Sequence, residues 1–379
     1  MNDQKQEKRA ENRQKVAIVH DFLVDFGGAE RVLADICSIY PDAPIFTLIH
    51  DEGKMRGKFE GKEIKTSFLQ KFPKFLRNRK RFLLPFLMVA PETFDLREYD
   101  LVISSSSAWS KGIVTRLNTT HIAYIHSPMR FVWDYNERYL KEIGSRAGIF
   151  KRLVLNYVRI WDNQAAQRPD KLIANSAYTQ RRIQKYYKRD SEVVYPGVKM
   201  IDENELQESS SNSQISNLKS QNYFLVVSRL SAYKKVDLVV EAFNKLGLPL
   251  VVIGEGEQER HLRKSAAPNV KILGWKSDEE VEKYYAGARA FIFPAVDDFG
   301  LTIVESMSHG IPVIAIKKGG AMEIVKEGVN GEFFEAQTVE VISDGVRRFL
   351  ENEEKYDKSE IKKSVEKFSK ENFKIRIAG

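Results

Sequence analysis

Residues Lys15 to Tyr40 read KVAIVHDFLVDFGGAERVLADICSIY. KVAIVH (Lys15–His20) is a short apolar run of the kind that makes a buried strand. DFLVDFGG is a loop closing on a glycine pair, and AERVLADICSIY is amphipathic at helical spacing. Strand, glycine turn and helix form the opening unit of a doubly wound sheet. Four more short apolar runs follow between helical or loop segments: APIFTLIH, DLVISSSS, HIAYIHSP and KLIANSAY. That alternation predicts a mainly parallel sheet.

Beyond Met200 the character changes. IDENELQESSSNSQISNLKSQN is rich in Ser, Asn and Gln and nearly free of large apolar residues, which predicts a flexible linker over 200–222. A second alternating series starts at YFLVVSRL and continues through PLVVIGEGE, VKILGW, ARAFIFP and PVIAI, with helical patterns such as DLVVEAFNKL and DEEVEKYYAGA between them. The expected architecture is α/β, with two doubly wound parallel-sheet (Rossmann-like) domains and a cleft between them. The first domain is expected over 1–199, the second over 223–357, and a C-terminal helical segment over 358–379. In such sheets ligands gather at the carboxyl ends of the strands.

Composition agrees with a chain of two globular domains: 379 residues, 42% hydrophobic and 30% charged. A single cysteine, Cys37, rules out an intramolecular disulfide and fits a reducing compartment. The polar start MNDQKQEKRAENRQ lacks the apolar core of a signal peptide, and FLLPFLMVAP is too short to span a bilayer. A cytoplasmic protein is expected. The net charge of +8 is uneven, since residues 1–200 carry 35 Lys and Arg against 23 Asp and Glu, and the rest carry 25 against 29. The first domain is therefore expected to face something anionic. Its cations are densest between Glu63 and Glu92, where Lys65, Lys71, Lys74, Arg77, Arg79, Lys80 and Arg81 alternate with Phe68, Phe72, Phe75, Phe82 and Phe86 and no acid intervenes. This pattern suits an amphipathic segment lying on anionic lipid; it equally suits a solvated basic helix packed on its own domain. No recognition motif for nucleic acid accompanies it.

Several constellations could carry chemistry. Gly27 and Gly28 open the first helix, where a backbone can approach a phosphate, although many such turns use glycine for geometry alone. His126, in YIHSPMRFVWD, follows an apolar strand and could bond a hydroxyl or relay a proton, or merely satisfy a loop carbonyl. Arg229 and Lys234 straddle a strand exit and a helix start, as a pair gripping a diphosphate would, and as two solvated cations would. Gly254-Glu255-Gly256 lacks the third glycine of a dinucleotide fingerprint, so no nicotinamide or flavin is expected. In FPAVDDFGLTIVESMSHGIPV (Phe293–Val313) the backbone of Phe299, Gly300 and Leu301 can form a polar cradle at a helix start. Asp297 precedes that helix and Glu305 sits on its second turn; carboxylates so placed can hold sugar hydroxyls, or serve as ordinary helix charges.

Taken in order, HDFLVDFGGAERVL, YIHSPMRFVWD, ANSAYTQRRI, SRLSAYKKVDLVVEAF and PAVDDFGLTIVESMSHGIPVIAIKKGGAMEIVKEGVNGEFF resemble the family-4 retaining glycosyltransferases of the GT-B fold. The resemblance covers nearly the whole chain and is nearest to mannosyltransferase-like enzymes of bacterial polysaccharide assembly. It implies transfer of a sugar, mannose from GDP-mannose, to a lipid-linked or glycan acceptor, with no metal and no cofactor beyond the nucleotide-sugar substrate. It implies roles as well: Gly28 beside the donor phosphates, His126 near the transferred sugar, Arg229 and Lys234 on the diphosphate. Backbone groups of Phe299–Leu301 would touch sugar and phosphate, and Glu305 would hold the ribose diol. Asp297 stands where the family carries glutamate, with a reach about 1.5 Å shorter. The basic segment, Lys71, Lys74, Arg77, Arg79, Lys80 and Arg81, would then face the membrane that anchors the acceptor, placing the enzyme on the inner face of the cytoplasmic membrane. A sugar-nucleotide binder without catalysis, a UDP-sugar transferase and a sugar-nucleotide epimerase are the alternatives on the same fold.

Overall fold

The structure, a computed structural model, describes residues 14–77, 79–134, 148–201 and 222–378. Residues 202–221 of the expected linker lie outside the described residues, as does the polar segment 1–13. The chain divides into two compact units, Met1–Tyr195 with Lys374–Gly379, and Pro196–Phe373.

The first unit is built on a seven-stranded sheet. Its spatial order is β3 (Ile64–Thr66), β2 (Ile45–Thr47), β1 (Val16–His20), β4 (Leu101–Ser106), β5 (Thr120–Ile125), β6 (Lys171–Ala174) and β7 (Glu192–Val193). Every neighbouring pair is parallel. The order reverses between β1 and β4, and there the register sets His20 opposite Ser105. That is the switch point at which a doubly wound sheet leaves room for a ligand. All six residues of β4, LVISSS, are buried, including three serines. Buried hydroxyls require partners: Ser104 Oγ lies 2.8 Å from His121 Nε2, and Ser105 Oγ 2.8 Å from His126 Nε2.

The loop after β4 is fixed from β1. The Asp21 carboxylate accepts the backbone amides of Ser107, Ala108, Trp109 and Ser110 at 2.6–2.8 Å. One turn on, Lys111 forms a fully buried ion pair with Asp162 of the helix Gly148–Ala165 at 2.5 Å. Trp133 Nε1 and the Tyr187 hydroxyl also donate to that carboxylate, at 2.7 and 2.9 Å. Such a pair holds its place only because further hydrogen bonds offset the desolvation. The helix Gly28–Ile39 buries Val32, Leu33, Ile36 and Cys37; burial pushes the Cys37 thiol up to about 11.

The second unit carries six parallel strands in the order β10 (Val270–Gly274), β9 (Leu250–Ile253), β8 (Phe224–Val227), β11 (Ala290–Phe293), β12 (Val313–Ile316) and β13 (Gly331–Phe334). Numbered from its own first strand this is the 3-2-1-4-5-6 order of a dinucleotide-binding sheet. Phe224, Phe243 and Phe349 meet edge to face on one side of it. The C-terminal stretch is helical at Lys358–Val365 and Lys370–Ala378.

The basic segment is not one helix, whichever role it has. Pro73, Pro85 and Pro91 interrupt it, and it folds as short turns at Phe68–Lys71, Lys74–Arg77, Lys80–Leu83, Leu84–Val89 and Ala90–Thr93.

Candidate functional site

The second unit places its polar groups at the switch point between β8 and β11. Arg229 follows β8 and is exposed. The turn that carries it is held from behind: Leu230 donates its amide to the Glu255 carbonyl and Gln258 donates to that of Leu230, both at 2.9 Å. Gly254 sits at φ +139°, and a Cβ there would lie 1.9 Å from the Ser228 carbonyl oxygen. The Gly-Glu-Gly run, which lacks the dinucleotide fingerprint, is therefore the backing of the Arg229 loop.

Lys234 ends the short turn Ala232–Lys234 and reaches Asp297 Oδ2 at 2.5 Å. Both side chains are about one-sixth exposed, at 16% and 18%. The pair joins two residues that the sequence placed in separate motifs. The loop behind Asp297 is clamped by Gly319 and Gly320. Gly320 donates its amide to the Asp297 carbonyl at 2.9 Å, and a Cβ on Gly320 would come within 2.3 Å of the Phe299 carbonyl oxygen. Phe299 is buried against Phe368. Gly300, at φ +104°, starts the helix Leu301–Ser308, which no side chain caps at its N-terminus. Glu305 is half-buried on that helix and accepts the hydroxyl of buried Tyr285 at 3.2 Å. Sequence reasoning missed Tyr285, Gly319 and Gly320. The double glycine in KKGGAMEIV was visible; that it packs on the Asp297 loop was not.

In the first unit His126 lies at the end of β5, 8% exposed. Burial and the neighbouring His20 hold its imidazole down to about 4, against the pull of Glu30 and Asp21. Nε2 faces Ser105 Oγ, whose other neighbour is His20 Nδ1 at 3.0 Å. Asn175 Nδ2 donates to the His126 carbonyl at 2.9 Å. The following loop is held by buried Arg182, which pairs with Asp134 and donates to Ser127 Oγ and the Pro128 carbonyl. Gly27 lies at φ −136°, extended backbone that any residue adopts, and donates its amide to Glu30 Oε2 at 2.8 Å. Gly28 is the first helical residue.

Of the cationic segment, Lys71, Lys74 and Arg79 are exposed and Arg77 is half-buried. The Lys80 and Arg81 side chains lie outside the described residues. The phenylalanines divide. Phe68 and Phe72 pack on a core with Leu69, Leu83 and Leu87, whereas Phe75, Phe82 and Phe86 stay open to solvent. The helix Gly148–Ala165 sends Leu155 and Val158 into the same core and exposes Ile149, Leu153, Tyr157 and Ile160 on its outer side. Their three- and four-residue spacing was a readable signal for this second apolar row. Among the described residues no helix is long and apolar enough to cross a membrane.

Two parallel doubly wound sheets, each with polar groups at its switch point, define a GT-B fold. Residues 26–200 match the model of Glycosyltransferase Family 4, and residues 208–372 that of Glycosyl transferases group 1. Each half of the chain is thus similar to one glycosyltransferase family, and the two matches together take in most of its length. An uncharacterized glycosyltransferase of Methanocaldococcus jannaschii is 28% identical over 217 residues, 56% of this chain and 58% of the relative. A GDP-mannose-dependent alpha-mannosyltransferase of Corynebacterium glutamicum is 29% identical over 106 residues, 28% of this chain and 25% of the relative. The match thus spans little more than half the length of the first relative and a quarter of the second. Anabaena HepE, solved in complex with UDP-glucose, superposes with a TM-score of 0.69 at 20% identity, covering 97% of this chain and 98% of its own.

Proposed function

We propose that the protein is a retaining glycosyltransferase moving mannose from GDP-mannose to a lipid-linked or glycan acceptor in cell-surface polysaccharide or glycolipid synthesis. The observation that carries this reading is the joining of Lys234 and Asp297 beside Arg229 at the carboxyl end of the second sheet. Breaking the bond from sugar to phosphate leaves negative charge on the departing diphosphate. The Lys234 ammonium, held there by Asp297, and the exposed Arg229 guanidinium stabilise that charge as it grows. Asp297 gives up part of Lys234 to the phosphate and turns its carboxylate toward sugar hydroxyls, while Glu305, aimed by Tyr285, takes the ribose diol. On the acceptor side, the departing phosphate oxygen takes the proton of the attacking hydroxyl on the same face of the sugar, and no metal is required. In the first unit, His126 is offered to a sugar hydroxyl and the Gly27–Gly28 helix start to a phosphate.

The mannose and guanosine assignment is supported by the motif resemblance and by the similarity to the Corynebacterium enzyme; a UDP-sugar donor is the second reading, supported by the likeness to HepE. The open phenylalanines and cations of residues 71–89 and the apolar row of the helix Gly148–Ala165 suit the surface of an anionic bilayer. In our reading the enzyme works peripherally on the inner face of the cytoplasmic membrane, where its acceptor is anchored.

The test is titration of GDP-, UDP- and ADP-sugars by calorimetry, followed by a transfer and hydrolysis assay on the tightest donor. Arg229→Ala and Lys234→Ala are expected to lower turnover by about 10²- to 10³-fold each. Tight binding with no turnover for any acceptor would mark a binding protein instead, and full activity in either variant would remove the leaving-group assignment.

A further inference from the structure

Four side chains at the switch point of the first sheet form one hydrogen-bonded line. Glu30 Oε1 lies 3.4 Å from His20 Nε2, His20 Nδ1 lies 3.0 Å from Ser105 Oγ, and Ser105 Oγ lies 2.8 Å from His126 Nε2. His20 and Ser105 are buried, and the Glu30 side chain is 15% exposed. The neighbouring carboxylate does not compete, because both oxygens of Asp21 are occupied by the four amides of Ser107–Ser110.

The line has a direction. Burial works to raise the Glu30 carboxyl, but His20 and the backbone amides outweigh it and hold the group below its ordinary range. It is therefore an anion and can only accept. Its Oε2 already takes the Gly27 amide at 2.8 Å, so Oε1 takes the Nε2 proton of His20. With that single ring proton, His20 presents a bare Nδ1, to which the Ser105 hydroxyl proton points. Ser105 Oγ can now only accept from the next ring, and His126 supplies its Nε2 proton. The other nitrogen, His126 Nδ1, has no hydrogen-bond partner among the described residues.

We propose that Glu30, His20 and Ser105 are positioning residues that fix His126 as the Nε2–H tautomer. His126 thereby offers its Nδ1 lone pair to a ligand hydroxyl. The inference rests on the glycosyltransferase reading for its ligand, a sugar hydroxyl that donates. The tautomer itself is a property of the chain alone. Each ring nitrogen's state is set by the bond the other makes, so an anion two residues removed decides what His126 can recognise.

The experiment is nitrogen-15 NMR of the histidine side chains in the full chain near neutral pH without substrate, with His126 assigned among the six histidines by its loss in His126→Gln. The expected spectrum shows His126 with a protonated Nε2 and an unprotonated Nδ1. A His126 proton found on Nδ1 would overturn the proposal; a doubly protonated His20 would impose that by turning the Ser105 hydroxyl around. Ser105→Ala is expected to give a mixture of His126 tautomers and a fall in turnover of about five- to tenfold, the worth of one hydrogen bond, with Ser105→Thr restoring both. A single unchanged tautomer in Ser105→Ala would also refute the relay. If the tautomer is as stated but no sugar is transferred, the proposed function falls and the relay stands.

Discussion

Replacing Asp297 by asparagine is expected to tighten the binding of a nucleoside diphosphate while slowing transfer. Lys234 is held by Asp297 Oδ2 at 2.5 Å, and a phosphate oxygen taken by the same ammonium would sit at about 2.8 Å from it. Two acceptors arranged around one ammonium are about 4.5 Å apart, so the carboxylate and the phosphate repel. Between unit charges at that distance the repulsion is about 1 kcal/mol with the dielectric of water and about 4 kcal/mol at the effective value of 20 used near protein surfaces. The pair is partly open to solvent, which favours the lower figure. At about 1.4 kcal/mol per factor of ten, Asp297→Asn should bind GDP at least about fivefold more tightly. Calorimetric titration of GDP into the wild type, Asp297→Asn and Asp297→Glu measures this, with Asp297→Glu expected near the wild-type value because it keeps the charge. Turnover of Asp297→Asn should fall, since the sugar loses a carboxylate contact. GDP affinity unchanged or weakened in Asp297→Asn would refute the picture of a carboxylate and a diphosphate sharing one cation.

Flotation with anionic vesicles should carry the protein up at low salt and lose it at high salt, and Leu153→Asp with Tyr157→Asp should weaken flotation although neither position is part of the cationic segment; salt-insensitive flotation, or none, would remove the membrane reading. Gly320→Ala should destabilise the protein by about 1–3 kcal/mol in urea unfolding and weaken nucleotide binding, because its methyl would meet the Phe299 backbone at 2.3 Å. Burial holds the His121 imidazole down to about 3, and burial with His20 holds that of His126 down to about 4, both from 6.5. The unfolded chain therefore binds these protons at higher pH than the folded one, so their stabilisation is complete above about 6.5 and is lost progressively as pH falls from there to about 4 for His126 and about 3 for His121. Melting temperature measured between pH 7.5 and 4.5 should fall with acid, and a slope unchanged in His126→Gln would exclude the contribution of that ring.

The two sheets were legible because parallel strands buried on both faces read as continuous apolar runs, and each run from KVAIVH to PVIAI is a strand of the structure. The nucleotide-side residues were legible as types at strand ends. Their pairing was not, since Lys234 and Asp297 lie 63 positions apart and meet only through the β8–β11 pairing. The His126 relay was hidden for a related reason. DLVISSSS announces a strand, and only the register of β1 against β4 shows that Ser105 is the serine set opposite His20. The phenylalanine segment misled in the other direction, because composition cannot tell a residue that packs, such as Phe72, from one that stays open, such as Phe75. Tertiary packing decides between them.

Cys37 has a practical value beyond its place in the first core. It is the chain's one cysteine, it is buried, and its thiol is pushed up to about 11, so near neutral pH it presents almost no thiolate to a reagent. A cysteine introduced on the surface would then be the sole reactive thiol without any prior removal of the native one. An environment-sensitive dye at position 153 or 82 would report contact with a bilayer, and one near residue 233 would report nucleotide arrival, each from a single labelled site in an otherwise unaltered protein.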